Sequence, residues 1–140
     1  MTRMNQEKTE IIQPYGGRLI DLTVGPDKST GLFKKAIHLP SIRLTQREIC
    51  DLELLAVGAF SPLDRFMGSK DYQSVVSEMR LANGLVFPIP VTLNAYEPSQ
   101  ILVGKEAVLR SPRNEMVALM KVEEVFRRDL EAEARLVLGT

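Results

Sequence analysis

Few side chains in this sequence are equipped to make or break a bond. It holds one histidine, His38, and one cysteine, Cys50, in 140 residues. A metal centre or a general base is usually built from a histidine with titratable companions. His38 stands in Ile37-His38-Leu39 with no other His or Cys at ligand spacing, so it reads as a structural residue. A reactive thiol needs surroundings that favour the thiolate. Cys50 has acidic neighbours and no histidine partner, and reads as a buried, inert thiol. Ser61 lies outside any Gly-x-Ser-x-Gly elbow. Gly16-Gly17 lacks the following Lys-Ser/Thr of a phosphate loop and reads as a tight turn. Asp51 and Glu53 sit two apart on a predicted helix, facing away from each other, so they are not a carboxylate pair. The expected catalytic, cofactor-binding and metal-binding sets in this chain are therefore empty.

The stretch that invites a function is Gly58-Ala59-Phe60-Ser61-Pro62-Leu63-Asp64-Arg65-Phe66-Met67-Gly68, followed by Lys70-Asp71-Tyr72. Surface connections are ordinarily polar, because their backbone faces water. This one is apolar and must fold down onto something. Six of its residues are candidates for an interface with a neighbouring domain or subunit. Phe60, Leu63, Phe66 and Met67 would form an apolar landing, and Asp64 and Arg65 a charged crown. The competing reading turns the apolar four into the chain's own core. It leaves Asp64 and Arg65 as a solvated local ion pair, which contributes little.

The elements that hold this loop are well marked. Thr45-Gln46-Arg47-Glu48 is a capping box that opens a helix. Ile49, Leu52, Leu55 and Ala56 form its buried stripe, and Gly58 ends it in a left-handed cap. A second helix follows, with Ser69 as N-cap and Asp71 at the positive end of the dipole. Tyr72, Val75, Val76 and Met79 form its stripe, and Asn83-Gly84 its stop. Upstream, residues 11–17 read as a short strand into a turn and 18–22 as a second extended piece. Residues 25–31 read as a loop and 32–37 as a short helical turn, with 39–44 extended. Downstream, residues 85–93 read as an edge strand carrying Pro88 and Pro90. Residues 106–110 and 116–122 flank a five-residue loop as a hairpin, and 128–138 is helix-prone. Short strands with helices segregated among them define an α+β chain with a small, partly closed sheet.

Composition sets the outer bounds. Residues 1–10 read as a disordered start and 11–140 as one domain. Acidic and basic residues balance at 18 each, so no strong field draws in a polyanion or a membrane. A lone cysteine makes no intrachain disulfide, which fits a reducing, cytoplasmic setting. No apolar run approaches the roughly 18 residues of a membrane span.

The loop also resembles a family signature, the Gly-Ala-Phe-Ser-Pro-Leu-Asp-Gly-Phe-Met segment of ATP sulfurylase (sulfate adenylyltransferase). Pro14-Tyr15-Gly16-Gly17-Arg18-Leu19 resembles that family's Pro-His-Gly-Gly-x-Leu opening. Leu39-Pro40-Ser41-Ile42-Arg43-Leu44-Thr45 resembles its entry to the first helix. Asp51 to Ala56, Asp71-Tyr72, Met79-Arg80-Leu81, Asn83-Gly84 and Pro88 to Leu93 continue the match. The resemblance implies the N-terminal PUA-like domain, a small mixed β pseudo-barrel with flanking helices. It implies a catalytic domain as partner, in cis or as a separate chain, and a homo-oligomer as a further assembly. It also implies a parent enzyme that uses ATP with magnesium. The family's catalytic Gln-x-Arg-Asn-Pro-x-His-x-x-His segment needs two histidines, and this chain has one. Arg113-Asn114 is preceded by Ser-Pro and followed by Glu-Met, so it does not supply that segment. Two positions depart from the family pattern: Arg65 stands where Gly is usual, and Tyr15 where His is usual.

PUA-like folds elsewhere bind RNA, so a free-standing RNA- or protein-binding module is the second reading. The balanced charge and the absence of Trp oppose an RNA role. In a titration with single-stranded RNA, binding is expected to be weak and its salt dependence shallow. Each neutralised phosphate would add about −0.7 to the log–log slope. Sub-micromolar affinity at physiological salt with a steep slope would favour the RNA module.

Overall fold

The computed structural model describes residues 11–96 and 100–140. The expectation for residues 1–10 lies outside that range. The elements in chain order are α1 (Pro26–Ala36), β1 (Ser41–Arg43), α2 (Gln46–Ala56), α3 (Ser69–Glu78), β2 (Glu106–Arg110), β3 (Met116–Lys121) and α4 (Leu130–Leu136). A single 3-10 turn at Tyr15–Gly17 precedes them. The architecture is α+β, with helices around an open three-stranded mixed sheet of order β1-β2-β3.

The hairpin forms where the sequence places it, with β2 and β3 antiparallel and Leu109 opposite Ala118. β1 joins from the far side in parallel, pairing Ile42 with Leu109. A parallel partner requires a crossover, and here the crossover carries α2, the apolar loop and α3. Ile42, Ala107 and Leu109 gather on one sheet face with Leu44, Ile101 and Val122. Ile49 and Leu52 of α2 pack onto that cluster. A second cluster holds Leu55, Leu63, Met67, Tyr72, Val75, Val76, Leu81, Phe87 and Val91. Phe66 touches both.

α2 starts as its capping box requires. The Glu48 amide donates to Thr45 Oγ1 at 3.3 Å, and the Thr45 amide donates to Glu48 Oε2 at 2.8 Å. Glu48 does more than cap. Its residue is 3% exposed, and its other carboxylate oxygen accepts from the Asn94 amide at 2.9 Å and from Asn94 Nδ2 at 3.0 Å. Asn94 Oδ1 in turn accepts from Arg128, whose guanidinium forms an ion pair with Glu133 at 2.9 Å. The Tyr72 hydroxyl donates to Glu133 Oε2 at 2.9 Å and approaches the Asp129 carbonyl at 3.1 Å. One polar chain thus runs from the start of α2 to α3 and α4.

Several expected boundaries differ. α1 begins at Pro26, within the stretch expected to be a loop, because Gly25-Pro26-Asp27 is a helix start. Pro stands in the first turn and Asp27 at the positive dipole end. Residues 11–13 and 18–22 form no strand. The N-cap of α3 is Gly68, not Ser69, and the Ser69 amide is satisfied by Glu124 Oε2 at 3.0 Å. Met79 leaves the α3 stripe: it is the C-cap, at φ 55°, and it is 47% exposed. Residues 85–93 give only an isolated bridge, Arg80 with Val86, because Pro88 and Pro90 donate no hydrogen bonds to a ladder. Cys50 is exposed, on the face of α2 away from Leu55. His38 is exposed in the turn after α1.

Burial raises the pKa of the Glu48 carboxyl, but its hydrogen bonds from Thr45 and Asn94 outweigh that and hold it below the ordinary glutamate value. A carboxylate whose folded pKa is depressed stabilises the fold above its unfolded pKa. That stabilisation is lost as pH falls through the folded value. Glu48→Gln is therefore expected to flatten the acid limb of the stability-versus-pH curve and to cost about 1–3 kcal/mol at neutral pH. Urea midpoints across pH 3–7 are the measurement. An unchanged acid limb would remove Glu48 from this role.

Candidate functional site

α2 hands the chain to the loop at Gly58, whose φ is +82°. A side chain there would meet the Ile20 carbonyl oxygen, which lies 2.1 Å from the position of a Cβ. Only glycine fits both the backbone angle and that approach. Ser61 completes the junction. It is buried, its hydroxyl donates to the Gly58 carbonyl at 2.6 Å, and its oxygen accepts from the Ile20 amide at 3.0 Å. The same serine that lacks a nucleophile's setting is thus a clamp between the N-terminal segment and the loop.

Beyond Ser61 the loop turns back on the domain. Leu63 and Met67 are buried in the second core cluster. The Met67 amide donates to the Val91 carbonyl at 2.8 Å, fixing the loop's exit against the Pro-rich segment. Phe60 packs edge-on to Phe87 with ring centroids 6.0 Å apart. Phe60 and Phe66 are half-buried. The apolar landing proposed from sequence is therefore largely turned toward the domain itself. Asp64 and Arg65 remain exposed.

The charged crown is a small ion-pair cluster. Arg65 Nε donates to Asp64 Oδ1 at 2.6 Å, and Arg65 Nη1 donates to Glu123 Oε2 from the stretch after β3. The hydrogen bond from Arg65 holds the Asp64 carboxyl below its ordinary pKa, and Asp64 and then Glu123 hold the Arg65 guanidinium more firmly protonated. Arg65 is not among the residues of positive φ. The backbone has an ordinary conformation where the resemblance suggested glycine. Tyr15 also finds a partner, donating its hydroxyl to the Val86 carbonyl at 3.0 Å.

A shallow hollow of about 350 Å³ lies beside the crown, lined by Asp64, Arg65, Lys70, Asp71 and Asn83 among others. Asp71 is occupied with the Ala82 amide at 2.8 Å, and Asp64 with Arg65. The arrangement can pair charges and seat a polar surface. It brings together no nucleophile with a base. Among the described residues, no three His, Cys, Asp or Glu side chains are placed to share a metal ion. Cys50 and His38 lie on other elements, and Arg113-Asn114 occupies the β2–β3 turn with Asn114 at φ 69°. Sequence reasoning missed Ser61, Glu123 and Glu124, each of which acts on a residue more than forty positions away. No local pattern signals such pairs.

A family model for the PUA-like domain matches residues 12–140, and the chain belongs to that family. Its similarity extends to sulfate adenylyltransferases, matching their N-terminal part. It is 46% identical over 132 residues to the sulfate adenylyltransferase of Symbiobacterium thermophilum, covering 92% of this chain and 33% of that one. To the Emericella nidulans sulfate adenylyltransferase it is 42% identical, covering 90% of this chain and 23% of that one. The solved hexameric APS kinase from Thiobacillus denitrificans superposes with a TM-score of 0.74 at 33% identity, covering 85% of this chain and 24% of that one. The chain thus spans a third or less of the length of these relatives. Among the described residues, no helix is long and apolar enough to cross a membrane.

Two substitutions separate the loop's packing from its charge. Phe66→Ala in the isolated chain is expected to cost about 1.5–2.5 kcal/mol, roughly half of a full Phe deletion, because the ring is half-buried between two clusters. Arg65→Ala is expected to cost less than about 1 kcal/mol, as exposed ion pairs do. Denaturant unfolding measures both. A negligible loss for Phe66→Ala would leave that ring free for a partner.

Proposed function

We propose that this chain is the N-terminal PUA-like unit of a cytoplasmic sulfate adenylyltransferase, with the catalytic domain of that enzyme as its partner, in cis or as a separate chain. The parent reaction joins sulfate to the α-phosphorus of ATP, giving adenosine 5′-phosphosulfate and releasing pyrophosphate. Its transition state calls for positioning and positive charge around the phosphates. The observation that carries the reading is the 46% identity to a sulfate adenylyltransferase along 92% of this chain.

On this reading the domain supports the enzyme and does not perform the chemistry. Its one histidine, His38, is exposed and isolated. Its best-placed arginines, Arg65 and Arg128, are already paired with carboxylates. ATP and magnesium belong to the catalytic domain, and assembly into a homo-oligomer is a further part of the proposal. The basic residues also fall short of an RNA face, since Lys35 is tied to Glu106 and Arg128 to Glu133.

The test is a pyrophosphate-release assay on the purified chain with ATP and sulfate, or with the more reactive molybdate. No turnover above blank is expected from the chain alone. When it replaces the N-terminal third of the Symbiobacterium thermophilum relative, that chimera is expected to turn over. Turnover by the chain alone, or a folded but inactive chimera, would overturn the proposal.

A further inference from the structure

Leu63 and Met67 of the loop turn inward, and four exposed aliphatic residues lie on the segments that adjoin it. The segment from Tyr15 to Val24 has no strand or α-helix, and Ile20 is its only buried residue. Leu19 and Leu22 are 60% and 44% exposed. Both lie against the end of α2. The Leu22 amide donates to the Ala56 carbonyl at 2.9 Å, and Leu19 Cδ1 lies 2.8 Å from the position of a Cβ on Gly58. At the end of α2, Leu54 and the C-cap residue Val57 stand three residues apart, hence on one face, and are 39% and 60% exposed. Four exposed large aliphatic residues thus make up a strip on two segments that meet at the end of α2.

Scattered exposed aliphatics need no explanation, but a contiguous set marks a contact. The segment carrying half of this strip is held by few anchors: Tyr15 to Val86, Ile20 to Ser61, and Leu22 to Ala56. A stretch that irregular, with two leucines facing water, has little to gain from lying flat on its own domain. It gains burial if a second surface closes over it, at about 25 cal/mol per Å² of apolar area covered. Two thirds or more of the length of the relatives lies outside the region this chain matches.

We infer that the strip Leu19–Leu22–Leu54–Val57 is the face on which the catalytic portion of the parent enzyme packs. This rests on the reading of the chain as an N-terminal sulfate adenylyltransferase unit. The Ser61 clamp and the Gly58 turn serve the strip by fixing the N-terminal segment at the end of α2. The Phe60–Met67 loop then acts as the support beneath the contact, with Asp64 and Arg65 at its edge.

The experiment uses the chimera described above. Leu54→Gln with Val57→Gln changes two exposed positions, so the isolated chain's thermal midpoint should move by no more than about 2 °C. In the chimera the pair is expected to loosen the contact, exposing the junction to subtilisin about tenfold faster. Phe33→Gln on α1 with Ile37→Gln at its C-cap, both exposed, is the control and should leave the rate unchanged. Equal clipping rates in the unsubstituted and strip-variant chimeras would overturn the inference while the active chimera upheld the parent reading. A strip variant that clips normally but halves in mass by light scattering would assign the strip to a second copy and overturn it too. An unsubstituted chimera that folds without activity would remove the parent reading and the inference with it.

Discussion

The buried carboxylate of Glu48 is the constraint around which the two halves of the core are arranged. A charged group at 3% exposure is tolerable only when its oxygens are satisfied. Here the partners come from Thr45 on one side and Asn94 on the other. That ties the start of α2 to the segment that follows the prolines. Asn94 then engages Arg128, and Arg128 engages Glu133, so the placement of α4 depends on the same chain of hydrogen bonds. Removing one member leaves part-buried neighbours short of a partner, which costs more than the bond itself contributes. α4 has no fully buried side chain. Its position is therefore set by Tyr72, Arg128 and partial packing of Ala132 and Val137 rather than by a deep apolar face.

What was legible in the sequence was what local chemistry decides. Thr45-x-x-Glu48 announces α2 because both halves of a capping box lie within one turn. The β2–β3 hairpin is legible because its strands are separated only by the turn they share. Two of the misses turn on partners outside the segment itself. Ser69 has a capping side chain, yet the amide it exposes is taken by Glu124, which arrives from beyond β3. Residues 85–93 have the composition of a strand, but the two prolines withhold donors, and the segment is held instead by contacts with Met67 and Met79. The start of α1 was missed for a different reason: Gly-Pro-Asp is also a turn signal, and the longer helical frame decides between the two.

The loop shows the same division. Its apolar content identified it as a segment that must bury something, which the structure supports for Leu63 and Met67. Composition could not say against what. Phe60 finds Phe87 and Phe66 finds both clusters, all of them partners distant in sequence. Conversely, nothing about Leu19 or Leu22 in the sequence distinguishes an exposed leucine from a buried one. Only the lie of the N-terminal segment against α2 leaves them facing outward.

The parallel pairing of β1 with β2 carries a consequence for how the domain assembles. Ile42 meets Leu109 only after the whole of α2, the loop and α3 has been drawn into a closed ring of chain. The entropy of closing that ring is lost before any contact across it is gained. The hairpin of β2 with β3 needs no such closure, and α2 needs only its own turn. The order of events that follows is local hairpin and helix first, with β1 added late. A protein still emerging from the ribosome would therefore carry Ile42 and Leu44 exposed until residues beyond 110 had been made.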